Sequence, residues 1–304
     1  MDLPEQFDPP IGVAERLAPG LRRIVAPNPS PMTWRGTNTY LVGDSAIAVI
    51  DPGPDDPAHL QAILSAIGPG QRITHILVTH AHLDHSPLAR PLAQASGAPV
   101  LAYGDARAGR SRVMDMLAAQ GLAGGGEGVD TAFTPDIMLA DGDVVAGDGW
   151  QMRALWTPGH FGNHLSFIWG DAGFSGDLVM GWASSLVSPP DGDLTDFMTS
   201  CERLRAEGCA VLHAGHGSPV ADPAARIDWL LGHRRMREAA ILAALADGPT
   251  DPATLTRAIY TDTPAALLPA AERNVFAHLV DLVQKSAVTP AGPLSQKAVF
   301  TLNG

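Results

Sequence analysis

The sequence predicts a layered α/β domain over residues 1–220, followed by a small helical, winged-helix-like module over residues 221–304. Three observations lead there. Short apolar runs of strand length alternate with turns and helical stretches through the first two thirds of the chain, the pattern of stacked sheet and helix layers. From Ala221 onward the apolar spacing turns helical, and the chain closes with two short extended stretches around Pro290-Ala291-Gly292-Pro293. One apolar run, Ile76-Leu77-Val78, leads directly into Thr79-His80-Ala81-His82-Leu83-Asp84-His85, which carries four metal-binding side chains within six residues.

In chain order, residues 39–42 and 46–50 read as strands. Residues 58–67 have helical spacing, with Leu60, Ile63, Leu64 and Ile67 on one face. Residues 73–78 form the strand that feeds the cluster. Ser86 and Pro87 offer a cap and a first turn for a helix, which Pro91 is expected to disturb. Residues 99–103 make another short strand. Residues 104–134, rich in Gly and Ala without a clear period, read as a surface excursion with a short helix. Strands follow over 136–145, 151–156 and 165–169 and around Phe174. Residues 194–206 are helical and 210–213 extended. Helices over 225–246, 252–260 and 265–285 build the C-terminal module. In the last of these Val275, Leu279, Leu282 and Val283 share a face. Three helices and a terminal hairpin outline a winged helix.

The 304 residues are 45% hydrophobic and 17% charged, enough to bury a sizeable core. The net charge of −12 opposes nonspecific attraction to nucleic acid and anionic membranes. From Ala221 on, eight Lys and Arg balance eight Asp and Glu. The whole negative charge therefore lies upstream, and the module reads as a packing or lid element, since a DNA-reading winged helix is usually basic. Arg234, Arg235 and Arg237 are the obvious candidates for a local basic strip, but helical spacing spreads them over different faces, which favours a solvated surface. The first residues carry no basic region and no signal-like apolar stretch, and no segment approaches the roughly 18 apolar residues of a membrane span. A cytoplasmic, soluble protein is the expectation. Cys201 and Cys209 are expected to be reduced thiols.

His80 and His82 are two apart, so on an extended backbone both reach one ion. Asp84 and His85 come after the strand and suit a neighbouring ion. Two ions need further ligands. His160 in Thr157-Pro158-Gly159-His160, Asp177 in Ser175-Gly176-Asp177 and His216 in Ala214-Gly215-His216-Gly217 each follow a predicted strand and are flanked by small residues. His59, His75, His164, His213, His233 and His278 are assigned structural or surface roles, with His164 and His213 the two that could support the ligands from behind.

Taken together, Asp51-Pro52-Gly53, the HxHxDH cluster, His160, Asp177 and His216 resemble the metallo-β-lactamase superfamily in its dinuclear hydrolase form. The resemblance covers roughly residues 17–220 and implies an αββα sandwich with metals at one edge. It also implies one ion on His80, His82 and His160, another on Asp84, His85 and His216, Asp177 bridging them, and Asp51 in support. Residues 28–33 and 36–43, and the run His233-Arg234-Arg235 with Arg237-Glu238, resemble the β-lactamase-like protein 2 group, which has a C-terminal winged-helix-like domain. Members are hydrolases, some of them endoribonucleases. Two departures stand out: Ser86-Pro87 replaces a usual glycine pair, and residues 182–190 form a longer loop expected to shape the substrate pocket.

The function this implies is a dinuclear metal-dependent hydrolase. Two divalent ions, zinc by expectation with manganese or iron also compatible, would lower the pKa of a shared water to about 7. Asp84 is the expected catalytic residue, placed to orient that water and accept its proton. Candidate substrates are RNA or another phosphodiester, a small ester or thioester, a lactone and, last, a β-lactam. The alternatives are a persulfide dioxygenase of the same fold using a single iron, and a regulatory nucleic-acid-binding protein whose metal is structural.

Overall fold

Residues 46–50 run Ala-Ile-Ala-Val-Ile, apolar on both faces, as expected of a strand covered on both sides. The computed structural model, which describes residues 7–304, places them in the middle of a seven-stranded sheet. Its strands lie side by side in chain order: β1 (Glu15–Ala18), β2 (Leu21–Val25), β3 (Asn38–Val42), β4 (Ala46–Ile50), β5 (Arg72–Leu77), β6 (Val100–Ala102) and β7 (Ile137–Met138). Pairing is antiparallel through β4 and parallel from β4 to β7. A second sheet holds β8 (Val144–Gly147), β9 (Trp150–Trp156), β10 (Leu165–Trp169), β11 (Ala172–Gly176) and β12 (Val211–Ala214) in the order β12-β11-β10-β9-β8.

The two sheets face each other. Tyr40, Val42, Ala48 and Ile50 of the first pack against Met152, Ala154, Leu165, Phe167 and Phe174 of the second. The opposite face of the first sheet, through Leu41, Ile47, Val49 and Ile76, is covered by α1 (Pro57–Ser65) and α2 (Ala89–Ser96). The outer face of the second is covered by α4 (Leu194–Ala206) and the first half of α5 (Pro223–Ala246), through Phe197, Leu204, Ile227 and Leu230. This is the αββα sandwich. Helices open where the sequence writes Asp-Pro: Asp56, Asp222 and Asp251 each accept a backbone N–H in the first turn, with the proline just inside.

The C-terminal module is built from the second half of α5, α6 (Pro252–Ile259), α7 (Leu268–Gln284) and the pair β13 (Val288–Pro290) and β14 (Phe300–Leu302). Its core gathers Ile241, Leu245, Leu255, Val275, Phe276, Leu279 and Phe300. Met114 and Leu117 of α3 (Arg112–Ala119) join it. The Gly- and Ala-rich excursion therefore docks on the C-terminal core, which its lack of period concealed.

Two local expectations are corrected, and two strands are added to those read from the sequence. The stretch 136–145 is two strands on different sheets, because Ala140 to Asp143 turns between β7 and β8. β1 and β2 were not legible, since Arg22-Arg23 interrupts the apolar run; Arg23 is buried by pairing with Glu15 at 2.6 Å beneath Phe7. Ser86 does not cap a helix. Its hydroxyl donates to Asp130 at 2.8 Å, and α2 begins at Ala89 and carries Pro91 in its first turn, where proline is tolerated.

Candidate metal centre

Five strand ends meet at one edge of the sandwich. Asp51 follows β4, residues 79–85 follow β5, His160 follows β9, Asp177 follows β11 and His216 follows β12. All the predicted ligands are buried there: His80, His82, Asp84, His85, His160, Asp177 and His216. The two sheets are stitched together at this edge by Asn38. Its backbone N–H donates to Gly215 O at 2.7 Å, and its side chain donates to Ala214 O at 3.0 Å and Gly217 O at 2.9 Å. The task of Asn38 is not readable without the second sheet.

The hydrogen bonds fix which ring nitrogen of each histidine faces inward. The Thr79 hydroxyl donates to Asp51 at 2.7 Å, so at the 2.9 Å contact with His80 the proton belongs to His80 Nδ1. His80 Nε2 is then a bare lone pair. The same logic holds for His160, whose Nδ1 donates to Leu186 O at 2.8 Å. His80 Nε2 and His160 Nε2 lie 3.0 and 3.1 Å from His82 Nδ1. Burial and the neighbouring rings drive His80 and His82 toward the neutral form, His82 down to about 3, and burial likewise lowers His160. Two lone pairs, on His80 Nε2 and His160 Nε2, thus converge on the neutral His82 ring.

Beside them sits a second group of Asp84, His85, Asp177 and His216. His85 Nδ1 donates to Asp51 at 2.9 Å and His216 Nδ1 to Gly36 O at 3.2 Å, again turning Nε2 inward. His216 Nε2 lies 3.1 Å from Asp84 and 3.3 Å from Asp177; His85 Nε2 lies 3.5 and 3.6 Å from the same two carboxylates. Asp177 also approaches His160, at 3.8 Å. Burial opposes every charge here. Even so, the carboxylates hold His216 up to about 10 and His85 well above its usual value, and the histidines hold Asp84 down to about 2. The carboxylates therefore demand positive charge. Two adjacent groups, one of lone pairs and one rich in carboxylate, suit a dinuclear metal site.

The surrounding residues leave little freedom. Asp51 takes a left-handed backbone (φ 49°), tolerated in Asp, and from there accepts from Thr79 N, Thr79 Oγ1 and His85. His164, one of the two histidines that could support the ligands, accepts the Asp177 N–H at 3.3 Å while its Nδ1 contacts the Thr157 hydroxyl at 2.9 Å. His213 instead packs against Tyr40 and Phe174.

A cavity of about 750 Å³ opens over the site. His82, Asp84, His160, Asp177 and His216 line its floor, and Met32, Met180, Trp182, Leu186, Ile259 and Leu267 supply mostly apolar walls. The loop over 182–190 forms one wall, as expected from its length. α5, α7 and the α6–α7 connection form another. Here the expectation for the arginines is corrected. Arg234 is 2% exposed, and its guanidinium donates to Ser185 O and, at 2.8 Å, to Asn274 Oδ1. Asn274 Oδ1 also accepts from Val187 N at 3.1 Å. Arg237 lies over Tyr260, and only Arg235 meets solvent in an exposed pair, with Glu202. The three do not form a surface strip.

Residues 32–216 match the metallo-β-lactamase superfamily, and the chain belongs to that superfamily of metal-dependent hydrolases. Residues 252–291 match the β-lactamase-associated winged helix domain. A β-lactamase-like protein 2 homolog of Drosophila melanogaster is 29% identical over 90% of this chain and 90% of its own length. An atrochrysone carboxyl ACP thioesterase of Aspergillus fumigatus is 27% identical over 94% of this chain and 84% of its own. Among solved structures, a metallo-β-lactamase family protein from Thermus thermophilus superposes with a TM-score of 0.76 at 26% identity, over 95% of this chain and all of that one. A β-lactamase domain protein from Burkholderia ambifaria has a TM-score of 0.80 at 21% identity over 99% and 97%, which shows the shared fold. Among the described residues no helix is long and apolar enough to cross a membrane.

Proposed function

We propose that the chain hydrolyses a small carbonyl ester or thioester with two divalent ions, zinc by preference. His80, His82 and His160 would hold one; Asp84, His85, His216 and Asp177 would hold the other. The observation that carries this reading is the cavity: mostly apolar walls close over a floor made of these side chains, a shape that takes an acyl group rather than a polyanionic strand. The thioesterase relative supports the same choice. The RNA reading loses its basic strip, because Arg234 is spent on Ser185 and Asn274.

When bound, the ions supply an acidified water and charge stabilisation at the attacked carbonyl. The chain's own residues do the rest. Asp84 Oδ1 is buried without a hydrogen-bond partner beside the floor of the cavity, and is the acceptor for the proton of the attacking water. Asp84 Oδ2 is held near His216 at 3.1 Å, so only one oxygen is free for that task. Trp182, Leu186 and Met180 hold the acyl portion and exclude bulk water.

The test is the metal-reconstituted protein against a thioester, an aryl ester, a lactone, a β-lactam, a bis-aryl phosphodiester and single-stranded RNA. Thioester or ester turnover above the others is expected. His82→Ala and Asp177→Ala are expected to lose it with unchanged circular dichroism; full activity in either metal-loaded variant would sink the ligand assignment. A single redox-active iron on metal analysis, with oxidation in place of hydrolysis, would turn the reading to the dioxygenase.

A further inference from the structure

We propose that the cavity contains an anion subsite centred on Arg237, and that the substrate carries a carboxylate or phosphate there, away from the bond that is cut. The proposal rests on the ester-hydrolase reading above and names the substrate's charge.

His233, Arg234 and Arg237 lie on α5 at spacings that bring them to one wall of the cavity whose floor is the candidate metal centre. Arg235 finds Glu202 at 3.3 Å. Arg234 and Arg237 find no carboxylate oxygen within 4.0 Å among the described residues. A buried guanidinium without a counter-charge is costly, and Arg234 is almost wholly buried. Its own donors are partly committed to Ser185 and Asn274, and its Nε remains without a partner. It therefore contributes positive potential behind the wall rather than a contact.

Arg237 is the group that can make the contact. Its guanidinium carbon lies over the Tyr260 ring, 4.2 Å from the centroid. Nη1 donates to Ile259 O at 3.2 Å, and Nη2 has no hydrogen-bond partner among the described residues. A guanidinium held over an aromatic ring with Nη2 unpartnered is prepared for a carboxylate or phosphate oxygen. The acids on the cavity lining do not compete. Asp84 and Asp177 belong to the floor, Glu127 accepts the Ser30 hydroxyl at 2.6 Å, and Asp262 makes no ion pair with either arginine. The anion has two possible sources: the far end of the acyl chain, or a phosphate on the leaving thiol.

The experiment measures binding without turnover, by calorimetry on the metal-loaded full chain. Adipate and sebacate are compared with hexanoate and decanoate, and phosphopantetheine with pantetheine. Within each pair only one member carries the second anionic end, and the probes differ in length so that the span between the floor and Arg237 is sampled. In the wild type, at least one doubly anionic probe is expected to bind about ten- to a hundredfold tighter than its mate. An advantage for the dicarboxylates places the anion on the acyl chain; one for phosphopantetheine places it on the leaving group. Arg237→Gln should abolish that advantage while leaving the singly anionic or neutral mate within about threefold, and Arg237→Lys should keep part of it. No advantage in the wild type, or one that survives Arg237→Gln, would overturn the subsite. Because no bond is cut, the result is separate from turnover. A charge-dependent advantage with no hydrolysis of the matching thioesters would leave the subsite standing and overturn the ester reading.

Discussion

A methyl group at Gly215 would stand 2.4 Å from Asp177 Oδ1 and 2.7 Å from His85 Cε1. At Gly176, where φ is +47°, it would stand 2.5 Å from His164 Nε2. The small residues noted beside the ligands are thus the space into which the ligands fit. Gly215 has no unusual backbone angle, so its substitution tests space alone. Gly215→Ala is expected to weaken metal binding about ten- to a hundredfold, read by competition with a chromogenic chelator; undiminished affinity would show that the ligands can move aside. His59 makes a different point. The Thr39 hydroxyl donates to Asp51 O at 2.7 Å, so His59 Nε2 is the donor in its 2.8 Å contact with Thr39, and Nδ1 is buried without a partner. Burial lowers its pKa to about 4. The unfolded chain takes up this proton near 6.5 and the native chain does so only near 4. His59 therefore contributes stability that is complete above about pH 6.5 and is lost as pH falls through about 4, on the order of 3 kcal/mol. His59→Asn should show a smaller drop in melting temperature between about pH 7 and about pH 4 than the wild type. Identical drops would remove His59 from the acid response.

At the scale of elements, the loop over 182–190 is held between the two halves of the chain. Its Leu186 carbonyl orients His160, its Ser185 carbonyl is held by Arg234 on α5, and its Val187 N–H is held by Asn274 on α7. Arg273, next to Asn274, donates to Ser188 Oγ at 3.0 Å and to Ala123 O at 2.9 Å, tying the excursion in as well. Two helices of the C-terminal module thus bear on the position of His160 in the candidate metal centre. Asn274→Ala removes the acceptor shared by Arg234 and Val187. It is expected to lower stability by about 1–3 kcal/mol and to weaken metal binding at the His80, His82 and His160 group about tenfold. Urea unfolding and stepwise metal titration read the two effects. A stability loss with both metal affinities unchanged would mean that the loop braces the fold without positioning His160.

At the scale of the whole molecule, α5 is the joint. Ile227 and Leu230 belong to the sandwich core, and Ile241 and Leu245 to the C-terminal core. Between them, His233, Arg234 and Arg237 face the cavity that both halves enclose. α3 locks the arrangement from the other side by placing Met114 and Leu117 in the C-terminal core. The module is a wall of the site, which fits its balanced charge and its mostly apolar contribution to the cavity.

The sequence by itself determined the alternation of strands and helices, the winged-helix outline and the seven side chains that gather in the candidate metal centre. Each of these is written in local spacing: apolar period, and His and Asp residues just beyond a strand. The tertiary structure brings the side chains together in the expected groups, and it alone decided which ring nitrogen His80, His85, His160 and His216 turn inward, because that depends on partners as distant as Gly36, Asp51 and Leu186. It alone showed that Arg234 is an interior residue. On a helix wheel the three arginines looked dispersed and solvated, and only the return of residues 185–187 and of α7 across α5 supplies the acceptors that allow a guanidinium to be buried.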